Sequence, residues 1–237
     1  MDFNALTKSG ENYLIISDLQ IPFENKQALD FVKYLKKHYK IKDENVLCVG
    51  DEIDAYFGGL WKKDVNSNLS AMTEIMITIE RLKEWYQVLP ECKVAVSNHG
   101  TRWFRKAFEA EIPSILLRKY EEVIEAPDGW KWQQKWNIKG SKHEFIMEHL
   151  DAWGGPTPAA KAALHYNKSV VGGHHHTKAQ IMHHNTGLNT YWSFVSGCLI
   201  DFESFAFNYA RAHANKPSIG CGVILDGGRI PVWIPLE

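Results

Sequence analysis

Tyr13-Leu14-Ile15-Ile16-Ser17 runs straight into Asp18-Leu19-Gln20, and Val46-Leu47-Cys48-Val49-Gly50 runs straight into Asp51-Glu52-Ile53-Asp54. Short apolar runs of this kind read as strands buried on both faces, and each ends on residues able to bind a cation. The pattern recurs. Residues 93–97 (KVAVS) lead into Asn98-His99-Gly100, 144–148 (EFIME) into His149, and 169–172 (SVVG) into Gly173-His174-His175-His176. Helical periodicities lie between the runs: Ala28, Leu29, Phe31, Val32 and Leu35 form one apolar stripe, and Met72, Ile75, Met76, Ile79 and Leu82 another. Residues 156–166 predict a shorter helix with prolines near its start, where they are tolerated. Strands alternating with helices define an α/β fold, whose ligands bind at the carboxyl ends of the strands.

With 27 basic and 28 acidic side chains, the net charge is −1. No whole-molecule field draws the chain to nucleic acid or to an anionic membrane, so a polyanion has to be held by a local patch or by metal. The 237 residues, 45% apolar, suffice for a sizeable core. One domain over 1–237 is expected, with an excursion around 109–140. Past about residue 178 the chain turns strand-rich, at 190–196, 219–225 and 230–234, which predicts a second sheet packed on the first. No apolar run approaches ~18 residues, and residues 1–10 are polar. Cys48, Cys92, Cys198 and Cys221 form no CxxC pair, so free buried thiols and a reducing compartment are expected. A soluble, cytoplasmic protein follows as the expectation; nothing in the sequence speaks to oligomeric state.

Carboxylates and amide oxygens suit hard divalent cations, and imidazoles suit transition metals. The set at the strand ends therefore fits two adjacent ions, Mn²⁺, Mg²⁺, Fe or Zn²⁺. Such a pair lowers the pKa of a bound water and binds a phosphoryl oxygen. One carboxylate has to be shared, and Asp51, after the Gly50 turn, is placed for it. His174 and His176 alternate, so an extended segment would send both to one side and His175 away.

The ordered set D-x-Q, GDxxD, NH, H and GHxH, from Asp18 to His176, resembles the calcineurin-like metallophosphoesterase superfamily. The resemblance implies an α/β sandwich of two mixed β-sheets flanked by helices. It also implies hydrolysis of a phosphate ester by a metal-bridging hydroxide, with inversion and no phosphoenzyme. One metal would be held by Asp18, Gln20, Asp51 and His176, the other by Asp51, Asn98, His149 and His174. His99 would donate a proton to the leaving oxygen or stabilise transition-state charge. The stretches 17–22 (SDLQIP) and 50–64 (GDEIDAYFGGLWKKD) look closest to phosphoesterases of bacteriophages and prophages, which would place the chain in a host cytoplasm. Gly197-Cys198 and Gly220-Cys221-Gly222 resemble that branch more weakly.

Three positions depart from the superfamily's pattern. Gln20 stands where it has His, and a harder amide oxygen favours Mn²⁺ or Mg²⁺ over Zn²⁺ or iron. Ser97 stands for a Gly. Gly100 replaces the acid that orients the catalytic His, so His99 needs another orienting group.

Other residues read more plainly. A lone Asp after a strand is most often a cap or turn residue, so Asp18 takes its weight from the full set. Asp54 is expected to support a ligand, Glu52 to be solvated, His183-His184 to edge a strand, and His143 and His165 to lie on the surface. Trp130, Trp132 and Trp136 alternate with Lys131, Gln133, Gln134 and Lys135. Aromatic faces flanked by cations hold single-stranded nucleic acid; a β-hairpin packing the Trp side chains on the core is the plainer alternative and the favoured one. Arg102 and Arg105 follow Asn98-His99 closely enough to grip a phosphate. The expected substrate is a phosphodiester, DNA or a nucleotide, with a phosphomonoester as runner-up. Gln20, Ser97 and Gly100 leave open a metal-poor binding module of the same fold.

Overall fold

The computed structural model describes residues 10–59, 69–210 and 214–237. Residues 60–64 of the second phage-like stretch and residues 1–9 lie outside the described residues. Strands β1 (Tyr13–Ile16), β2 (Val46–Cys48), β3 (Cys92–Ala95) and β4 (Trp130–Gln133) run parallel and adjacent. The second sheet holds β5 (Lys135–Lys139), β6 (Glu144–Glu148), β7 (Ser169–Gly172), β8 (Ala179–Asn185) and β9 (Thr190–Ser196) in the order β5-β6-β7-β9-β8. Its three central strands are parallel and both edges antiparallel. Strands β10 (Gly220–Leu225) and β11 (Ile230–Pro235) then return to the first sheet, antiparallel beside β1. Both sheets are mixed. The helices are α1 (Ala28–His38), α2 (Ala71–Val88), α3 (Arg102–Glu109), the single turn α4 (Tyr120–Val123) and α5 (Pro158–Tyr166).

The strands are apolar throughout because each is covered on both faces. Tyr13 and Ile15 point between the sheets, onto Phe145, Met147, Trp192 and Phe194. Leu14 and Ile16 point the other way, to Val32 and Leu35 of α1 and Leu82 and Trp85 of α2. On the far side, Ile146, Val170 and Val195 meet Ala159, Ala162 and Ala163 of α5. The layers are helix, sheet, sheet, helix, an α/β sandwich of two mixed sheets flanked by helices. No helix among the described residues is long and apolar enough to cross a membrane, and all four cysteines are free and buried.

The sequence misplaces some of this. The strand-rich close is divided: β8 and β9 complete the second sheet, whereas β10 and β11 extend the first. Of the stretch 109–140, residues 130–133 and 135–139 are strands, one at the edge of each sheet. Trp130 and Trp136 therefore do not belong to one hairpin. Trp130 is buried and its indole N–H donates to Leu89 O at 2.7 Å. Those of Trp132 and Trp136 donate to Glu52 Oε1 at 2.9 Å and Val94 O at 2.8 Å. Rings committed to the core in this way are no stacking platform. On α2, Met72 and Met76 of the apolar stripe are 71% and 52% exposed. The buried face carries Glu74, Thr78, Ile79, Leu82 and Trp85 instead. Glu74 is inside because its carboxylate accepts the Tyr56 and Phe57 N–H groups, and a buried carboxylate needs such donors.

Phe194 is fully buried between the sheets. Phe194→Ala should lower unfolding free energy by about 3–5 kcal/mol, read as a shift of the urea midpoint at unchanged slope.

Candidate dinuclear metal site

The loops after β1 and β2 are laced together before any side chain is considered. Gln20 N–H donates to Asp51 O at 2.8 Å, Ile21 N–H to Glu52 O at 3.1 Å, and Asp54 N–H to Ile21 O at 2.9 Å. This places Asp18, Gln20, Asp51 and Asp54 side by side, all buried. Gly50 makes the approach possible. Its φ is +104°, and a Cβ there would meet His149 Nδ1 at 2.7 Å and Ala95 O at 2.9 Å. Gln20, Asp51 and His174 take φ of +50°, +50° and +68°, a region costly for non-glycine residues and concentrated at functional sites.

The second sheet supplies the imidazoles. His149 Nε2 lies 2.9 Å from Asn98 Oδ1 and 3.3 Å from Asp51 Oδ2, and His174 Nδ1 lies 3.1 Å from the same Asn98 oxygen. His176 Nε2 is 3.4 Å from Asp18 Oδ2 and 3.1 Å from the Gln20 amide. Two groups able to hold an ion result, Asp51 with His149 and His174, and Asp18 with Asp51 and His176. Asp51 is common to both, and Gln20 and Asn98 stand beside them as the motif order implies. His174 and His176 reach the site from a turn and not from an extended strand; His175 faces away, 2.8 Å from Trp153 O.

The donor set fits a cation. His149 Nδ1 lies 2.8 Å from Val49 O; a carbonyl only accepts, so the ring hydrogen sits there and Nε2 is left to face oxygen acceptors. Asp18 Oδ1 and Gln20 Oε1 are buried acceptors with no donor, and such atoms call for a positive partner. Electrostatics agree. Burial pushes the Asp18 carboxyl well above the usual range, opposed by His149. Burial also acts on Asp51, but His149 and His99 beside it hold its carboxyl well below. Burial disfavours charge on His149, yet Asp51 and Asp18 raise it to about 10. Burial lowers His174 and His176 to about 4.

Around this centre lie residues whose roles the sequence hid. Glu52 is not solvated: it is 1% exposed and accepts from Tyr120 Oη and Trp132 Nε1. Tyr120 also explains Gly100, since a Cβ at that position would touch the Tyr120 ring and hydroxyl at 3.4 Å. Ser97 Oγ accepts the Gly100 N–H at 3.3 Å and hydrogen-bonds Asp51. His99 is held by Arg102, whose Nη2 lies 2.6 Å from His99 Nε2 while Nη1 bonds Asp54 O and Oδ1 at 2.6 and 3.0 Å. Burial lowers His99 to about 3, with Asp51 opposing and Arg102 assisting. It is therefore neutral, and its Nε2 is an acceptor and not the proton donor expected of it. Arg102, expected to grip substrate, is committed to Asp54 and His99. Arg105 makes no hydrogen bond or ion pair with a site residue among the described residues, and its buried Nε has no partner. Neither role could be read from spacing, because Tyr120 and Trp132 are distant in sequence and arginine commitments depend on side-chain packing.

Fold and site together define a class: an α/β sandwich whose two sheets converge on a carboxylate–imidazole centre suited to two ions. No protein-family model and no curated protein matches the chain. Among solved structures, vacuolar protein sorting 29 from Cryptosporidium parvum is similar at a TM-score of 0.50 and 16% identity, over 92% of this chain and 86% of that one. That likeness is one of fold. An archaeal phosphodiesterase aligns at 0.46 and 11% identity, over 95% and 99%. YfcE, a phosphoesterase from E. coli, aligns at 0.45 and 15%, over 90% and 87%. These looser alignments carry no weight here.

Because His149 holds a proton up to about pH 10, a cation taking its Nε2 must displace it. Mn²⁺ affinity should therefore fall about tenfold or more per unit as pH is lowered from 8 to 6. Calorimetry in buffers of different ionisation enthalpy should show at least one proton released; pH-independent affinity with no release would contradict the fit.

Proposed function

We propose that this chain is a two-metal phosphoesterase of the calcineurin-like superfamily that cleaves a phosphodiester, with a nucleotide or DNA as its source. The observation carrying this is the position of Asp51, one buried carboxylate shared by two groups that each include histidine. Two divalent cations, when bound, would supply a water of lowered pKa and polarise a phosphoryl oxygen. Asp18, Gln20, Asp51 and His176 would hold one, and Asp51, Asn98, His149 and His174 the other. Gln20 favours Mn²⁺ or Mg²⁺ over softer-site metals.

The chain's own groups prepare that chemistry. Val49 O orients His149, the His174 N–H bonds Asp18 Oδ2 at 2.7 Å, and the His99 N–H bonds Asp51 Oδ1 at 3.2 Å. Each fixes a ligand before anything binds, which is what preorganised catalysis requires. Arg102 brings a permanent positive charge to the rim. Support for DNA from the tryptophan segment is withdrawn by its burial; what remains is the resemblance of 17–22 and 50–64 to phage-borne phosphoesterases. The buried free thiols suit a reducing, cytoplasmic setting.

A second reading is a binding module of the same fold, favoured by the likeness to a vacuolar sorting protein. Metal content and turnover separate the two. Purified protein with about two Mn²⁺ per chain and turnover of bis-p-nitrophenyl phosphate would support the enzyme; an inert, metal-free chain would support the module. Asp51→Asn should abolish hydrolysis and lower bound metal to one ion or none, because a neutral amide cannot bridge two cations. Near-normal activity in that variant would end the two-metal proposal.

A further inference from the structure

If the phosphoesterase proposal holds, the hydrogen bonds around His99 decide which leaving groups the site can expel. Arginine has only N–H donors, so the 2.6 Å contact between Arg102 Nη2 and His99 Nε2 has one solution: Arg102 donates and Nε2 accepts. His99 is then the tautomer with its hydrogen on Nδ1. That nitrogen is buried without a hydrogen-bond partner, 3.7 Å from Asp54 Oδ2. Arg102 is well anchored, since Nη1 bonds both Asp54 O and Asp54 Oδ1 and the side chain is only 14% exposed. The nearby Tyr120 hydroxyl is no substitute donor, because it is given to Glu52.

We infer that Arg102 removes acid catalysis from this site: by occupying His99 Nε2 it leaves the departing oxygen unprotonated, and so selects phosphoanhydrides over alkyl diesters. Water adds to phosphorus and its proton passes to solvent. The bond from phosphorus to the leaving oxygen breaks, the electron pair stays on that oxygen, and it departs as an anion. From an anhydride that anion is a phosphate, a weak base that needs no proton. From a nucleic acid it is a sugar alkoxide, a strong base that leaves slowly unless protonated. This narrows the proposed function to the nucleotide side, toward compounds joined through a P–O–P link. Arg102 acts as a specificity-determining, positioning residue, and no contact of its own with substrate is required.

The test is the dependence of kcat/KM on leaving-group acidity, across methyl aryl phosphodiesters of graded phenol pKa, in Mn²⁺-loaded wild type and His99→Ala. Both should give steep, parallel lines. A dinucleoside diphosphate should be cleaved at least about 10²-fold faster than the corresponding dinucleoside monophosphate, the lower scale of an absent acid. A shallow wild-type line that steepens in His99→Ala, with losses of about 10²–10⁴-fold confined to poor leaving groups, would overturn the inference. Arg102→Met should flatten the line by freeing Nε2, and an unchanged slope counts against it; if that variant misfolds, the wild-type and His99→Ala lines decide alone. Nitrogen NMR of the histidine side chains reads the tautomer without turnover: Nδ1–H is expected, and Nε2–H contradicts. No turnover of any ester by metal-loaded protein would sink the phosphoesterase proposal itself, a failure recognisable by the absence of any line at all.

Discussion

Between the carboxyl ends of the two sheets, oxygen and nitrogen lone pairs face one another with too few hydrogens among them. His149 turns its Nδ1–H to Val49 O and its Nε2 to Asn98 and Asp51. Asp18 and Gln20 add buried acceptors without donors. In a low-dielectric interior that convergence is costly unless a cation sits among the acceptors, and the fold is arranged to impose it. Asp18, Asp51 and Asn98 come from the first sheet, and His149, His174 and His176 from the second. Only the packing of Tyr13 and Ile15 against Phe145 and Phe194 brings them together. The left-handed backbone at Gln20, Asp51 and His174 is the local strain that holds them there.

The parts legible in the sequence are those written in short range. Strands such as Tyr13–Ile16 and Thr190–Ser196 announce themselves by unbroken apolar runs, and the candidate ligands follow them within one to four residues. What could not be read depends on partners far along the chain. Whether 219–225 joins the first or second sheet is decided by pairing with β1, which no local pattern encodes. Met72 and Met76 fit a helical stripe, but the face of α2 that turns inward is chosen by Glu74 reaching the Tyr56 and Phe57 amides. Alternation also misled at 130–136, where two neighbouring strands enter different sheets.

The departures from the superfamily's pattern gain a physical account from the same long-range contacts. Gly100 lacks an acid because Tyr120 fills the space, and Tyr120 is fixed there by Glu52. Orientation of His99 passes to Arg102 and Asp54. Ser97 keeps a hydroxyl that binds the turn and Asp51. None of these substitutions removes a candidate ligand, which weighs toward an enzyme and against a vestigial binding module.

The sharing of Asp51 between two ions is the point on which everything else turns, and electron paramagnetic resonance of protein reconstituted with Mn²⁺ tests it most directly. Two Mn²⁺ bridged by one carboxylate should give the spectrum of an exchange-coupled pair once metal is saturating. The spectrum of isolated, uncoupled ions at full occupancy, or no stoichiometric binding at all, would contradict a site built around Asp51.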